Sequence, residues 1–146
     1  MKKFLVYLII IIMIITTSCS SKTTENMNLD EIKINILNQE NSDLGISYFI
    51  EVKNNSDFII KHVSLFLSYP INKESRENPY KVEASMSKKE NIIKPEEVVK
   101  FYVFTPLKEA GLDTYVLNIE HPSIKLKGYY ISKEKEEIPF AIGKGS

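Results

Sequence analysis

Apolar side chains recur at every second position along most of the chain after residue 30. The first set is Ile32, Ile34 and Ile36, which alternates with Lys33 and Asn35. Similar sets run through residues 46–52, 63–69, 98–104, 115–119 and 124–130, with a weaker one at 80–86. Alternation with period two is typical of β-strands that bury one face. The pattern therefore predicts about seven strands.

Turn-forming residues separate these sets. Asn54-Asn55-Ser56-Asp57 follows the set at 46–52, and Lys94-Pro95-Glu96-Glu97 precedes the set at 98–104. Outside the N-terminal apolar run, no window of eleven or more residues keeps a helical period, although Pro106–Gly111 leaves room for one helical turn. Short strands divided by turn signals favour an all-β, antiparallel sandwich, which we place at residues 30–132.

The N-terminus has a different pattern. Lys2 and Lys3 precede an unbroken apolar run from Phe4 to Ile15. A charged start followed by ~7 to 15 apolar residues is typical of a secretory signal peptide. As a helix with ~1.5 Å per residue, the run would span about 18 Å, well short of the ~30 Å hydrocarbon core of a bilayer. We therefore expect residues 1–18 to be a cleaved signal peptide.

Thr16-Thr17-Ser18-Cys19 directly follows this run. It resembles the lipobox of bacterial lipoproteins, in which small residues precede the cysteine that is lipidated, although Thr16 stands where Leu is usual. The resemblance implies cleavage before Cys19, acyl chains such as palmitate on that residue, and anchoring to the extracytoplasmic face of the cell membrane. Residues 19–29 would then be the lipidated N-terminus and a flexible polar tether. The alternative is ordinary signal cleavage near Ser18, with Cys19 incidental.

Composition and charge restrict the function classes. The chain of 146 residues is 43% hydrophobic and 26% charged, and removal of an 18-residue leader would leave 128 (146 − 18), enough for one globular domain. Without Lys2 and Lys3, 17 (19 − 2) basic residues would face 19 acidic ones. This balance lacks the clustered positive charge that nucleic acid binding requires. Cys19 is the only cysteine, so an intramolecular disulfide or a cysteine-based metal site is impossible.

A family resemblance involves the segments Val52-Lys-Asn-Asn-Ser56, Val63-Ser-Leu-Phe-Leu-Ser-Tyr69 and Ile93-Lys-Pro-Glu-Glu97, the last leading to Phe101. Together they resemble the immunoglobulin-like β-sandwich domains of bacterial lipoproteins, including the FxLYD type. That type pairs an Asn-rich turn with a strand ending in Tyr and a later Pro-Gly-Glu turn before a Phe. Glu96 stands where the family has Gly, and Pro70 where an Asp and a Gly turn would follow. The resemblance implies an extracytoplasmic interaction module.

Residues that could support catalysis or bind a metal are sparse. The two histidines, His62 and His121, could form a site only if the fold brought them together with further ligands. The acidic pairs Glu96-Glu97 and Glu136-Glu137 lie in charged turns, where carboxylates are usually solvated. The sequence contains no Gly-x-Ser-x-Gly elbow and no phosphate-binding glycine loop. We therefore predict no catalytic residues, no metal and no cofactor, and a protein that is not an enzyme.

Several aromatic residues have the parity opposite to the predicted core. The set consists of Phe49, Phe66, Tyr102, Phe104 and Tyr129. If several of them share one exposed sheet, they form an apolar patch of the kind that marks a partner or ligand site. The alternative is that a C-terminal tail, residues 133–146, first charged and then apolar at Ile138–Ile142, covers them.

Three functions are compatible with these features. The leading hypothesis is a non-enzymatic protein-interaction module at the cell envelope, anchored by lipid on Cys19 and binding an unknown envelope protein. The second is a small-ligand-binding lipoprotein that uses the aromatic face. An envelope enzyme is the least favoured, because the sequence lacks catalytic motifs.

Overall fold

The computed structural model describes residues 26–71, 81–106 and 117–145. A 3-10 helix, Leu29–Glu31, precedes the first strand. The strands in these ranges are β1 (Ile32–Asn41), β2 (Gly45–Asn54), β3 (Ile60–Ser68), β4 (Val82–Glu83), β5 (Ser85–Met86), β6 (Ile92–Ile93), β7 (Val98–Pro106), β8 (Ser123–Ile131) and β9 (Glu137–Gly145). None of the helices in the same ranges is long and apolar enough to cross a membrane. The predicted signal peptide and Cys19 lie outside the described residues.

The strands form two antiparallel sheets. The first sheet has the order β1-β2-β7-β5, and the second has the order β4-β3-β8-β9 with β6 also beside β3. The chain changes sheets at Ala84, because β4 pairs with β3 whereas β5 pairs with β7. The buried apolar residues of both sheets form one core. The predicted all-β, immunoglobulin-like antiparallel β-sandwich is therefore confirmed.

Period-two alternation produces this core. Along β7, Val99, Phe101 and Val103 are buried while their neighbours face solvent. Two buried tyrosines lie in the core: the hydroxyl of Tyr69, just after β3, donates to that of Tyr48 on β2 at 3.1 Å. Burial, and after it the interaction with the neighbouring Tyr69 phenol, raises the pKa of Tyr48, so the phenol stays uncharged in the core. This bond connects the first sheet to the end of β3 in the second.

Asn54 holds the turn after β2 together and is fully buried. Its Nδ2 donates to the carbonyl of Phe58 at 2.8 Å and, at 3.4 Å, to that of Ile93 beside β3. Its Oδ1 accepts the N–H of Ser56 at 3.1 Å and the Ser56 hydroxyl at 2.6 Å. Short Asx bonds of this kind are characteristic of turns. The Asn-rich turn noted in the sequence is thus a structural link between the second and third strands.

The turn at residues 94–97 packs against the same asparagine. The N–H of Glu97 donates to the Lys94 carbonyl at 3.1 Å, and the N–H of Glu96 donates to the Asn54 carbonyl at 2.7 Å. Glu96 has a φ of 59°. Turns with Pro at the second position and a left-handed third residue favour Gly there. Glu96 therefore occupies a turn position that favours glycine.

The predicted C-terminal tail is a strand, so the domain boundary at residue 132 is too early. β9 pairs with β8 over its whole length, from Ser123–Gly145 to Ile131–Glu137. Phe140 is buried, and Ile138 and Ile142 pack against the core. The strand signal is weak in the sequence because Pro139 cannot donate to a ladder and the glycines provide no side chain to pack. Pro139 is tolerated because β9 is at the edge of its sheet.

Gly128 on β8 makes room for Phe140. A Cβ at this glycine would stand 3.1 Å from the Phe140 ring and 3.0 Å from the Lys61 carbonyl. Because Gly128 and Phe140 are paired across β8 and β9, the ring fills the space that a side chain would otherwise occupy. Cross-strand aromatic cover of a glycine is a recurring device in sheets.

Two predicted strands, at 80–86 and 115–119, differ from the structure. The set at 80–86 is divided into β4 and β5 by the change of sheet at Ala84. The set at 115–119 is described from residue 117 onward. Leu117 forms an isolated bridge to Ile71, and residues 118–122 are not part of a strand. Of the possible helical turn at 106–111, Pro106 ends β7, and the remainder lies outside the described residues.

Candidate functional site

The five predicted aromatic residues are divided between the outer faces of the two sheets. Phe49 on β2 and Tyr102 and Phe104 on β7 lie on the first sheet, with exposed fractions of 38%, 43% and 38%. Phe66 on β3 and Tyr129 on β8 lie on the second sheet, where Tyr129 is 40% exposed and Phe66 is half-buried. The structure thus brings three of them together and places the other two on the opposite side.

The alternative that the C-terminal tail, residues 133–146, covers the five aromatic residues is wrong. β9 extends the second sheet beside β8, and its apolar residues face the core with Leu126 and Tyr130. Edge-to-edge pairing puts the segment in the plane of the sheet, so it cannot lie across the outer face. β9 therefore leaves both aromatic surfaces uncovered.

The aromatic surface of the first sheet consists of Phe49, Tyr102 and Phe104. Phe49 and Tyr102 are directly paired, and their ring centroids are 5.3 Å apart with an interplanar angle of 53°. The Tyr102 hydroxyl lies 3.2 Å from the hydroxyl of Ser47, which is paired with Phe104. These contacts hold the rings beside one another.

Gly45 determines where Phe104 lies. A Cβ on this glycine would stand 2.7 Å from Cζ of the Phe104 ring. The ring therefore covers the backbone of β2 at its first residue, on the same principle as Phe140 over Gly128. One edge of the aromatic surface thus has a structural role as well as an exposed face.

Polar residues of β1 border this surface. A β-bulge between Ile36 and Asn38 shifts the register, so that Asn38 is opposite Phe49 and Glu40 is opposite Ser47. The Asn38 amide donates to the Glu40 carboxylate at 3.0 Å. A bulge re-aims the side chains that follow it, and here it places an amide and a carboxylate beside the rings.

A groove crosses the outer face of the second sheet, which we call the His62 groove. It has a volume of about 290 Å³. Its lining residues are His62, Ser64, Phe66, Lys127, Gly128, Tyr129, Pro139 and Phe140. Two of the five predicted aromatic residues, Phe66 and Tyr129, thus contribute to it.

His62 occupies a β-bulge in β3. Lys61 pairs with Tyr129 and Ser64 pairs with Lys127, so two residues of β3 face one of β8. His62 has a φ of 51°, a conformation that costs a residue other than glycine about 1 kcal/mol. Asn91 holds the bulge, because its carbonyl accepts the N–H of His62 at 2.9 Å and its Oδ1 accepts the N–H of Val63 at 2.6 Å.

The charges around the groove are unevenly compensated. The Lys61 ammonium lies 3.4 Å from the Glu137 carboxylate. Lys127 instead places its ammonium 5.6 Å from the centre of the Phe66 ring, a cation–π distance. Across the described ranges, Lys127 forms no ion pair with a carboxylate. Glu83 on β4 is opposite Phe66, on the far side of the ring from β8.

A second depression, of about 260 Å³, lies where the edge strands β1 and β9 approach each other. The Lys144 ammonium donates to the backbone carbonyl of Ile34 at 2.7 Å. Edge strands expose unpaired backbone groups that can pair with another chain. Here a side chain of the protein itself occupies one of these acceptors.

The two histidines do not form a pair. His62 lies in the β3 bulge with its ring 6.0 Å from that of Tyr129, whereas His121 is exposed in the loop before β8. In the parts of the chain that the structure describes, no three His, Cys, Asp or Glu side chains group to hold a metal ion.

The acidic pair Glu96-Glu97 has structural partners. Glu96 lies 3.5 Å from the Lys53 ammonium. Glu97 accepts from the Lys88 ammonium at 2.6 Å and from the backbone N–H of Lys94 at 2.7 Å. The bond from Lys88, and after it that from the Lys94 N–H, lowers the pKa of Glu97. The two carboxylates therefore contact different lysines and do not converge on one point.

Sequence reasoning missed Lys127, Pro139 and the bulge at His62. Lys127 alternates with core residues as any solvated lysine would, and a bulge is decided by pairing with another strand. The residues next to Asn91 and His62 in the sequence do not indicate that His62 has a left-handed backbone or that Asn91 bonds to the bulge. The parity of Phe66 and Tyr129 was the only usable indication of this groove.

No protein-family model matches the chain, and no curated protein matches it significantly. Among solved structures, it is similar to the archaellum periplasmic stator protein FlaG from Sulfolobus acidocaldarius, with 12% identity over 76% of this chain and 99% of that one and a TM-score of 0.32. It is also similar to Northeast Structural Genomics Consortium target SoR45, with 15% identity over 80% of this chain and 81% of that one and a TM-score of 0.38. Likeness at this level supports no functional inference.

Proposed function

We propose that this protein is a lipid-anchored lipoprotein on the extracytoplasmic face of the cell membrane, and that its sandwich domain is a non-enzymatic protein-interaction module of the envelope. The observation that carries the interaction role is the exposed aromatic surface of Phe49, Tyr102 and Phe104 on the first sheet. The anchoring role rests on the sequence around Cys19.

The anchor is supported by the position of Cys19 directly behind an apolar run that is too short to span a bilayer. Each buried methylene of an acyl chain contributes ~0.8 kcal/mol, and two chains hold a protein stably where one does not. The lipobox resemblance supplies two acyl chains through the diacylglycerol group. The polar residues after Cys19 match the tether that the sequence predicts between this anchor and the folded domain.

The interaction role is supported by the chemistry of the aromatic surface. Aromatic side chains are enriched at the centres of protein interfaces, while polar groups form the rim. Phe49, Tyr102 and Phe104 occupy adjacent strands, with Asn38 and Glu40 beside them. A partner that covered the three rings would remove apolar surface from water at ~25 cal/mol per Å².

Site-specific photo-crosslinking in native cells tests the interaction role. A photoreactive phenylalanine analogue replaces Tyr102 in one variant and Phe49 in another, and the matched control carries it at Tyr129, which is as exposed but lies on the other sheet. We expect one discrete crosslinked product of the same mass from positions 102 and 49, and none of that mass from position 129. Absence of a product at positions 102 and 49, or the same product from all three, contradicts the proposal.

Labelling with radioactive palmitate tests the anchor separately. We expect label in the wild-type chain and none in Cys19→Ala, together with failure of cleavage before residue 19. If Cys19→Ala is processed and retained in the membrane as fully as the wild type, the lipoprotein assignment is refuted.

The second candidate function, a small-ligand-binding lipoprotein, is favoured by one specific observation, the His62 groove. This groove contains two of the aromatic residues that the sequence singled out, together with a lysine that forms no ion pair with a described carboxylate. The two functions use opposite sheets and are compatible in one chain.

A further inference from the structure

We propose that the His62 groove binds a small oxyanion carried on a single apolar ring, such as an aryl phosphate or an aryl carboxylate. This inference rests on the second candidate function, small-ligand binding, and is independent of the protein-interaction role proposed for the first sheet. It rests on the charges, the walls and the size of the groove.

The positive end of the site is Lys127. Its ammonium is exposed and contacts the Phe66 ring, and none of the carboxylates in the described ranges pairs with it. Lys61, by contrast, is compensated by Glu137. An ammonium that is held over an aromatic ring and is not paired with a carboxylate can bind an oxyanion with little rearrangement of the side chain. His62, Ser64 and Tyr129 line the same groove, and imidazole and hydroxyl groups can donate further hydrogen bonds.

The walls of the groove are apolar. Phe66 and Tyr129 border it from β3 and β8, and Pro139 borders it from β9. The His62 ring stands edge-on to that of Tyr129, with an interplanar angle of 88° and centroids 6.0 Å apart. These rings can stack or meet edge-to-face with a ring of the ligand.

The size of the groove limits the ligand. Small-molecule sites usually have volumes of ~300 to 1,000 Å³, and the groove, at about 290 Å³, is at the lower end. The ligand therefore carries one ring.

The β3 bulge gives His62 its place at the groove. Asn91 fixes it by two hydrogen bonds to consecutive backbone N–H groups. A left-handed residue other than glycine persists where the surrounding structure over-determines it, and such residues concentrate at binding sites. Bulges are similarly frequent beside functional sites, where they re-aim a side chain.

Isothermal titration of the full chain in nonionic detergent with phenyl phosphate tests the proposal. Inorganic phosphate supplies the charge without the ring, and benzyl alcohol supplies the ring without the charge. We expect saturable binding of phenyl phosphate with a dissociation constant of about 1 mM or below, and weaker binding of both other probes. A soluble short-chain phosphatidic acid tests lipid phosphate as the source, and tighter binding of this lipid than of phenyl phosphate would overturn the single-ring ligand.

Variants then locate the site. Lys127→Gln should weaken binding of phenyl phosphate about tenfold, as expected for loss of one charge-assisted hydrogen bond. The matched control is Lys100→Gln, which removes an exposed strand lysine from the outer face of the first sheet and should leave the affinity unchanged. Equal weakening by the two substitutions, no effect of Lys127→Gln, or equal affinity for inorganic and phenyl phosphate would each overturn the proposal. Both lysines are exposed, so an unchanged unfolding midpoint confirms that each variant folds.

Discussion

Replacement of Asn54 by Ala should destabilise the sandwich more than any other single change in the Asn-rich turn. The side chain is fully buried and forms three short hydrogen bonds, to the Phe58 carbonyl and to the N–H and hydroxyl of Ser56. A buried hydrogen bond contributes ~1 kcal/mol net, so the loss amounts to about 3 kcal/mol. The bond to the Ile93 carbonyl, at 3.4 Å, adds little.

Urea unfolding of the full chain in nonionic detergent, followed by circular dichroism, measures this effect. With a typical slope of ~1.5 kcal/mol per M for a domain of this size, a loss of 3 kcal/mol lowers the midpoint by about 2 M. The slope itself should not change, because the substitution leaves the buried area nearly constant.

Asn55→Ala is the matched control. Asn55 is only half-buried, and its N–H donates to the Glu31 carbonyl through the backbone, which alanine retains. We expect a change below about 0.5 kcal/mol, as for most surface substitutions. If Asn54→Ala costs less than about 1 kcal/mol, or if Asn55→Ala costs as much, the buried side-chain hydrogen bonds of Asn54 are not what stabilises this end of the sandwich.

Three further predictions use the same unfolding assay. Glu96→Gly should raise the free energy of unfolding by up to about 1 kcal/mol, because φ is 59° at this position, and a decrease would contradict the strain. Gly128→Ala should lower the free energy of unfolding by about 1 to 3 kcal/mol through overpacking, whereas Gly143→Ala, whose Cβ meets no atom within 4 Å, should leave it unchanged. Equal losses in the two variants would contradict the close contact between Gly128 and Phe140. The pKa of Glu97 is lowered in the folded state, so its ionised carboxylate stabilises the fold above the unfolded pKa of ~4.3, and this stabilisation is lost as pH falls through the folded pKa. Glu97→Gln should therefore make the free energy of unfolding fall less steeply with acid. An unchanged pH profile would exclude a stabilising role for the Glu97 carboxylate.

The two turns at this end of the sandwich have structural roles. Glu96 has a left-handed backbone in the turn at residues 94–97. Asn54 holds the other turn through its buried bonds to Ser56 and Phe58. Neither turn includes a residue of the aromatic surface or of the His62 groove.

Sequence alone was sufficient for the fold class and for the inner faces of β2, β3, β7 and β8. Residues such as Val99, Phe101 and Val103 alternate with polar neighbours, and a period of two admits one buried face whichever strand pairs beside it. It also located the turns, because Asn, Pro and Gly act through the local backbone. The sequence did not predict β9, because Pro139 and two glycines weaken the alternating pattern there. Pairing with β8 along its whole length stabilises this strand despite its weak pattern.

Only the tertiary structure decided how the outward residues are distributed. Alternation along one strand says that Phe49 and Phe66 face away from the core, but it does not say to which sheet each strand belongs. The pairing of β2 with β7 and of β3 with β8 separates the five aromatic residues into two surfaces. The bulge that presents His62 beside Lys127 likewise depends on a mismatch between two strands. Faces follow from local geometry, whereas sites are formed by contacts between residues that are distant in the chain.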